Sequence, residues 1–274
     1  MLKRIEAISA QGALLNLSLE DLDRGFLLEN VEGLDPVKAT ITSSSFAQLD
    51  GSQYQSSRRE ERNIKLTISL EPDYSVNQSV RDLRRRLYNY FMSKAPVDLR
   101  FYDSDGSVAY ISGRVESFET NLFSAEPAVD ISIICFDPDF YDPTPVRTTG
   151  NTVSNMDAIQ ISYDGSVETG VVFSLSVNRA MTAFTIYHAD PSGALRQLDF
   201  AGTLQAGDVL TISTVQGDKY VRLFRAGVLT SFLYGVSPQS AWLELQPGDN
   251  FIRVYATGAG VPFTIDHIQK YGGL

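Results

Sequence analysis

The stretch Asp137-Pro-Asp-Phe-Tyr-Asp-Pro-Thr-Pro145 limits this chain more than any other. It packs three prolines into nine residues. Each proline fixes φ and removes an N–H donor, so neither a helix nor a central strand can run through it. Structure must be built on either side. The 274 residues are enough for two domains, with predicted limits of 1–140 and 146–274.

The first side mixes strands with one helix. Ile64, Leu66, Ile68 and Leu70 alternate with polar residues, which predicts a half-buried strand. Ser79 and Asp82 have the spacing of a capping box. They open a predicted helix from about Val80 to Ser93, with Val80, Leu83, Leu87, Tyr90 and Phe91 on one face. Further strands are expected at 97–102, 108–111, 114–119 and 129–136. Together these predict a β-barrel-like domain carrying one amphipathic helix. The second side reads almost wholly as strands, at 159–163, 171–177, 183–188, 209–213, 220–225, 242–245, 251–255 and 263–268. Gly- or Pro-bearing turns separate them, the pattern of an antiparallel β-sandwich. The fold class is therefore mainly β.

Between two strand-like runs lies a polar stretch from Ser43 to Arg62, about 20 residues, longer than most connections within a compact domain. Loops of this kind usually contact another molecule. It is expected to be an extended arm or loop at a subunit interface, with Ser43, Phe46, Gln48, Asp50, Gln53, Tyr54, Arg58 and Arg62 as the contact residues.

Several function classes are disfavoured. The formal charge is −10, with 22 acidic against 15 basic residues up to residue 140 and 11 against 8 beyond it. Neither part has the basic excess that phosphate backbones require, so no specific nucleic acid is expected as a partner. No apolar run approaches the roughly 18 residues that span a bilayer, and no membrane insertion is expected. Glu6 and Ser9 interrupt any apolar leader, so no secretory signal is expected. A single cysteine rules out an intrachain disulfide framework and fits a reducing compartment.

No catalytic, cofactor or metal site is expected. His188 and His267 fall on predicted strands without a nucleophile in a recognisable setting. Cys135 shares parity with Ile131 and Ile133, which places it on a buried strand face as a structural thiol. Asp103-Ser-Asp-Gly106 begins like a calcium loop, but Ser112 stands where the carboxylate is needed, so a hairpin turn is expected. Asp137, Asp139 and Asp142 are read as solvated carboxylates, with a calcium site as the alternative. Gly258-Ala-Gly260 lacks the third glycine of a dinucleotide fingerprint. Arg84-Arg-Arg86 reads as a solvated helix face or an interface for an acidic partner. By parity, if Leu243 and Leu245 face the core, Trp242 and Glu244 face outward or toward a partner. Sugar stacking, a protein anchor and cover by a loop of the same chain all stay open for Trp242.

Several separated stretches resemble the distal tail proteins of long-tailed, non-contractile bacteriophages. They are Gly33-Leu-Asp-Pro-Val37 with Gln48-Leu-Asp-Gly-Ser-Gln-Tyr54, then Arg62-Asn-Ile64 and Arg81-Asp-Leu-Arg-Arg-Arg-Leu-Tyr88. Gly113-Arg-Val-Glu-Ser-Phe-Glu119, Asn121-Leu-Phe-Ser124 and Ile131-Ser-Ile-Ile-Cys-Phe-Asp-Pro-Asp-Phe140 follow. Gly207 to Lys219, Leu245-Gln-Pro-Gly-Asp-Asn250 and the final Gly-Gly-Leu complete the set. The resemblance implies a non-enzymatic virion protein whose N-terminal domain forms a hexameric ring at the tail tip. The C-terminal domain would be a galectin-like or carbohydrate-module-like sandwich. The implied partners are further copies of the chain, the tail tube protein, the tail hub or tail-associated protein, and a receptor-binding protein or fibre. Assembly would take place in the host bacterial cytoplasm. The alternative is a carbohydrate-binding protein that uses the C-terminal sandwich for host-surface attachment.

Overall fold

The computed structural model describes residues 1–46, 50–121 and 126–274. The chain divides into two compact units, Met1–Pro143 with Gly272–Leu274, and Thr144–Tyr271.

In the first unit, β1 (Leu2–Ser9), β2 (Leu14–Ser18), β3 (Phe26–Glu32), β4 (Ala39–Ser44), β5 (Gln53–Arg59) and β6 (Arg62–Leu70) precede α1 (Val80–Tyr88). β7 (Pro96–Asp103), β8 (Val108–Asn121), β9 (Ala128–Cys135) and the short β10 (Phe140–Tyr141) follow it. Seven strands form one antiparallel sheet in the order β2-β1-β7-β8-β9-β6-β3. Its two edge strands, β2 and β3, approach each other, so the sheet curls toward a barrel. Ile64, Leu66 and Ile68 of β6 are fully buried, as their alternation requires. Ile5, Leu17, Phe26, Leu28, Leu99 and Ile133 of the same sheet are buried as well. Cys135 closes the buried row of β9, and burial pushes its thiol pKa up to about 12.

α1 opens on the expected capping box: the Asp82 N–H donates to the Ser79 hydroxyl and the Ser79 N–H to the Asp82 carboxylate. Leu83 and Leu87 are its buried residues. The helix ends at Tyr88, earlier than Ser93, because it tightens: Asn89 N–H donates to Arg86 O and Tyr90 N–H to Leu87 O. Phe91 still reaches the core from the following turn. The strands expected at 108–111 and 114–119 are a single strand, β8, irregular between Val115 and Ser117. Gly113 permits this continuity: a Cβ there would lie 2.6 Å from Ile133 and 2.8 Å from the Cys135 sulfur. The calcium-like stretch is the turn of the β7–β8 hairpin.

The second unit is a two-sheet sandwich. Its strands are β11 (Val146–Asn151), β12 (Ile159–Tyr163), β13 (Thr169–Ser176), β14 (Met181–Ala189), β15 (Leu195–Leu204) and β16 (Val209–Ser213). They continue as β17 (Tyr220–Arg225), β18 (Val228–Ser231), β19 (Glu244–Leu245), β20 (Gly248–Tyr255) and β21 (Pro262–His267). One sheet runs β11-β21-β13-β16-β17-β18, with β19 paired to the start of β13. The other runs β12-β20-β14-β15. Val171, Phe173, Leu175, Leu210 and Ile212 from the first sheet and Phe184, Ile186, Leu198, Ile252 and Val254 from the second form one core. The ten-residue β15 was not expected from sequence. Its apolar residues are unevenly spaced, and Gly202 is needed because the Phe232 ring lies 2.5 Å from where a Cβ would be.

Both histidines sit inside this sandwich. His188 is wholly buried and His267 is 2% exposed. The Asn250 amide nitrogen donates to Gln246 O and Gly248 O, so its oxygen is the acceptor for His188 Nε2 at 3.0 Å. Among the described residues, His188 Nδ1 and both ring nitrogens of His267 have no hydrogen-bond partner. Burial lowers the pKa of each below the ordinary histidine value. At His188, Asn250 opposes the shift, Arg196 reinforces it and Asp190 opposes it; at His267 only Asp266 opposes it. A folded pKa below the unfolded one means that the unfolded chain binds protons first as pH falls. Stability from the neutral imidazoles is therefore full above the unfolded value, about 6.5, and is lost as pH drops through and below it. Thermal unfolding followed between about pH 7.5 and 5.5 should show the sandwich transition moving to lower temperature on acidification, and His267→Phe should flatten that dependence. An unchanged slope in the variant would contradict the assignment.

Candidate assembly interface

Much of the polar stretch from Ser43 to Arg62 lies in a two-stranded hairpin that also takes in Ala39 to Thr42. β4 and β5 pair antiparallel from Ala39↔Arg59 to Ser44↔Gln53. The register shifts between Thr42 and Ser43, a bulge that turns the outer part of the hairpin. Thr40, Ile41 and Thr42 are β-branched and favour the extended backbone. Apart from half-buried Ser44, every residue of both strands is exposed.

Ser43 pairs with Tyr54, and Gln53 pairs with Ser44. The Tyr54 hydroxyl lies 2.8 Å from the Ser57 hydroxyl, and Ser57 faces Ile41 across the ladder. One face of the hairpin thus carries Ile41 and Tyr54, at 65% and 62% exposure. Arg58 lies opposite Thr40 and is exposed. Phe46, near the tip, is 53% exposed, and Asp50 is exposed as well. Gln48 lies outside the described residues. Two-stranded hairpins are at best marginally stable alone in water. At its base Arg59 ion-pairs with Asp139, a carboxylate 2% exposed.

Arg62 does not belong with the exposed contact residues. It is 1% exposed at the start of β6. Its Nε donates to Pro138 O at 2.6 Å. Nη1 donates to Gly33 O at 2.5 Å and Asp35 O at 2.7 Å, and Nη2 to Gly272 O at 2.6 Å. The guanidinium also lies over the Phe140 ring at 4.4 Å. Burial lowers its pKa, while Asp139 and Asp35 are among the groups that oppose the shift. Gly33 is required beside it: its φ is +89°, and a Cβ would lie 2.1 Å from Asn63 O.

Trp242 and Glu244 also have structural partners. Leu243 and Leu245 are fully buried, as parity suggested, but the strand expected at 242–245 is only Glu244–Leu245. Trp242 is half-buried and packs against the sandwich core, with the Lys219 ammonium 5.7 Å from its ring centre. Glu244 is 3.4 Å from Arg196 and 3.9 Å from Lys219. Asp137 accepts a hydrogen bond from Tyr141. Among the described residues no group of three or more His, Cys, Asp or Glu is placed to hold a metal ion. Among them, too, no helix is long and apolar enough to cross a membrane.

The chain thus combines a curled antiparallel sheet that carries an exposed hairpin with a separate β-sandwich unit, a pairing that the known tail proteins below share in fold. The family described as phage tail protein RIFT-related domain matches residues 16–114, and the siphovirus-type tail component, C-terminal domain, matches residues 164–271. The chain belongs to the siphophage distal tail proteins. Its fold is similar to that of the crystal structure of phage SPP1 Dit, with a TM-score of 0.70, 17% identity and coverage of 97% of this chain and 98% of that one. It is also similar to a chain of the phage P2 baseplate in its calcium-activated conformation, with a TM-score of 0.52, 10% identity and full coverage of both chains. No curated protein matches it. The chain is thus a structural component of the tail tip and of the virion.

Substituting Arg62 by leucine leaves four backbone carbonyls, of Gly33, Asp35, Pro138 and Gly272, without their donor. Hydrogen bonds to a charged group contribute about 1.5–3 kcal/mol each, and their losses overlap. Arg62→Leu should cost the first unit at least about 3 kcal/mol in chemical denaturation, while the sandwich transition stays in place. A shift below about 1 kcal/mol would contradict this role.

Proposed function

We propose that this protein closes into a hexameric ring at the tail tip, joining the tail tube above to the hub and receptor-binding apparatus below. The observation that carries the reading is the β4–β5 hairpin, exposed on both faces and ion-paired at its base through Arg59 and Asp139. A cyclic ring needs a heterologous interface, in which an element of one protomer meets a different surface of the next. A projecting hairpin with an apolar face of Ile41 and Tyr54 is suited to that task. Ser43, Phe46, Asp50, Gln53 and Arg58 extend the same contact. The likeness in fold to SPP1 Dit, described as a paradigm of hub adsorption apparatus in phages infecting Gram-positive bacteria, supports the same placement. The ring assembles in the bacterial cytoplasm, where a reduced, buried Cys135 is at home.

The test is the mass of the assembled particle. The wild-type protein should form a closed species of six protomers by native mass spectrometry at high concentration. Ile41→Asp combined with Tyr54→Asp should stay monomeric with unchanged thermal unfolding, since neither side chain belongs to the core. A double variant that still closes would overturn the reading.

A further inference from the structure

β18 is the outermost strand of its sheet, and all four of its residues, Val228, Leu229, Thr230 and Ser231, are exposed. Exposed sheet edges are usually blunted by lysine, proline, a bulge or a covering loop. This strand holds no charge and no proline, and its ladder with β17 is regular. The turn into it, Ala226-Gly227, has positive φ at both residues, +50° and +83°, the pattern of a type I′ turn that holds two strands tightly together. Near the edge several apolar side chains are exposed: Phe224 at 45%, Val228 at 60%, Leu229 at 59%, Leu233 at 51% and Tyr234 at 79%. Leu223 points into the core, so Phe224 and its ladder partner Leu229 lie on the outer face, in one row with Val209. Phe232 turns back inward and stacks on Phe200 with centroids 5.6 Å apart, which leaves Leu233 and Tyr234 at the end of the edge.

We propose that the open edge of β18 receives an extended, apolar and acidic strand from another polypeptide. Only an extended backbone can satisfy the N–H and C=O groups that an edge strand leaves open, and such strand addition takes its specificity from alternate side chains. On the outer face, an apolar residue of the added strand sits beside Leu229 and extends the Phe224 row. Arg222 lies on that same face, opposite Ser231 in the ladder. Its guanidinium stacks over Tyr220 at 4.0 Å and forms no ion pair among the described residues. Ser231 is small, so Arg222 reaches across it to a carboxylate on the incoming strand. A second copy is the poorer occupant. Antiparallel pairing of two β18 strands would bring two Arg222 guanidiniums to one face, and β18 has no carboxylate to separate them. This proposal rests on the reading of the chain as an assembly component. Its test leaves the β4–β5 hairpin untouched, so either can fail alone.

The experiment is amide hydrogen exchange of the full-length protein, read by mass spectrometry, with two synthetic peptides in excess. Both alternate valine with threonine; one carries aspartate at a polar position and the other lysine. The aspartate peptide should slow exchange in residues 226–232 and leave the rest of the sandwich unchanged, while the lysine peptide should not. Leu229→Lys should abolish the protection, and Arg222→Glu should transfer it to the lysine peptide. No protection by the aspartate peptide would overturn the proposal, as would equal protection by both peptides or unaltered preference in Arg222→Glu. Concentration-dependent protection of 226–232 in the protein alone would also overturn it, because a second copy would then occupy the edge.

Discussion

The guanidinium of Arg62 gathers three separate segments of the first unit around one buried charge. It binds Gly33 and Asp35 ahead of the hairpin, Pro138 after β9, and Gly272 near the end of the chain. Burying a cation is expensive unless its donors are met, and here four carbonyl oxygens and the Phe140 ring meet them. The planar fork of arginine suits this arrangement. A lysine has three donors on a single atom and could not reach carbonyls spread around a plane. Because Gly33 and Asp35 lie just before β4, and Arg59 is bound to Asp139 just before Arg62, both legs of the hairpin are fixed at the same point. The arm is therefore aimed by a rigid base although nearly all of its strand residues are exposed.

Each unit combines a saturated core with a strand element left unpartnered. In the first, thirteen strand residues of β4 and β5 bury no side chain. In the second, β18 and its neighbours expose apolar side chains at the end of a sheet whose inner face is closed. A monomer selected to remain alone would place charges or proline at such sites. At β18 neither is present.

The buried polar groups divide by role. Arg62 and Asp139 organise the base of the arm, and their partners are complete enough to hold charge. His188 and His267 are packed as neutral aromatics, with His267 edge-on to Tyr163 at 5.7 Å. The first pair fixes geometry. The second makes the sandwich sensitive to acid, because an unpartnered buried imidazole can be protonated only by opening its surroundings.

Periodicity, parity and punctuation settled much of this protein from its sequence. The alternation in β6, the Ser79–Asp82 capping box, the buried side of Cys135 and the inward Leu243 and Leu245 are all local patterns, readable because strand and helix repeats are short. The strand-rich second half is local too. What tertiary structure alone decided was which polar residue is buried and what it touches. Arg58, Arg59 and Arg62 look alike in sequence, yet one is exposed, one is ion-paired at the base and one is enclosed. The carbonyls that claim Arg62 come from residues 27 to 210 positions away. No window of sequence holds that information. Likewise, Trp242 leaves the strand pattern because the core and Lys219 claim its ring, and β8 runs unbroken because Gly113 yields to Ile133 and Cys135 across the sheet. In each case the deciding neighbour is distant along the chain, so local propensity could not specify the outcome.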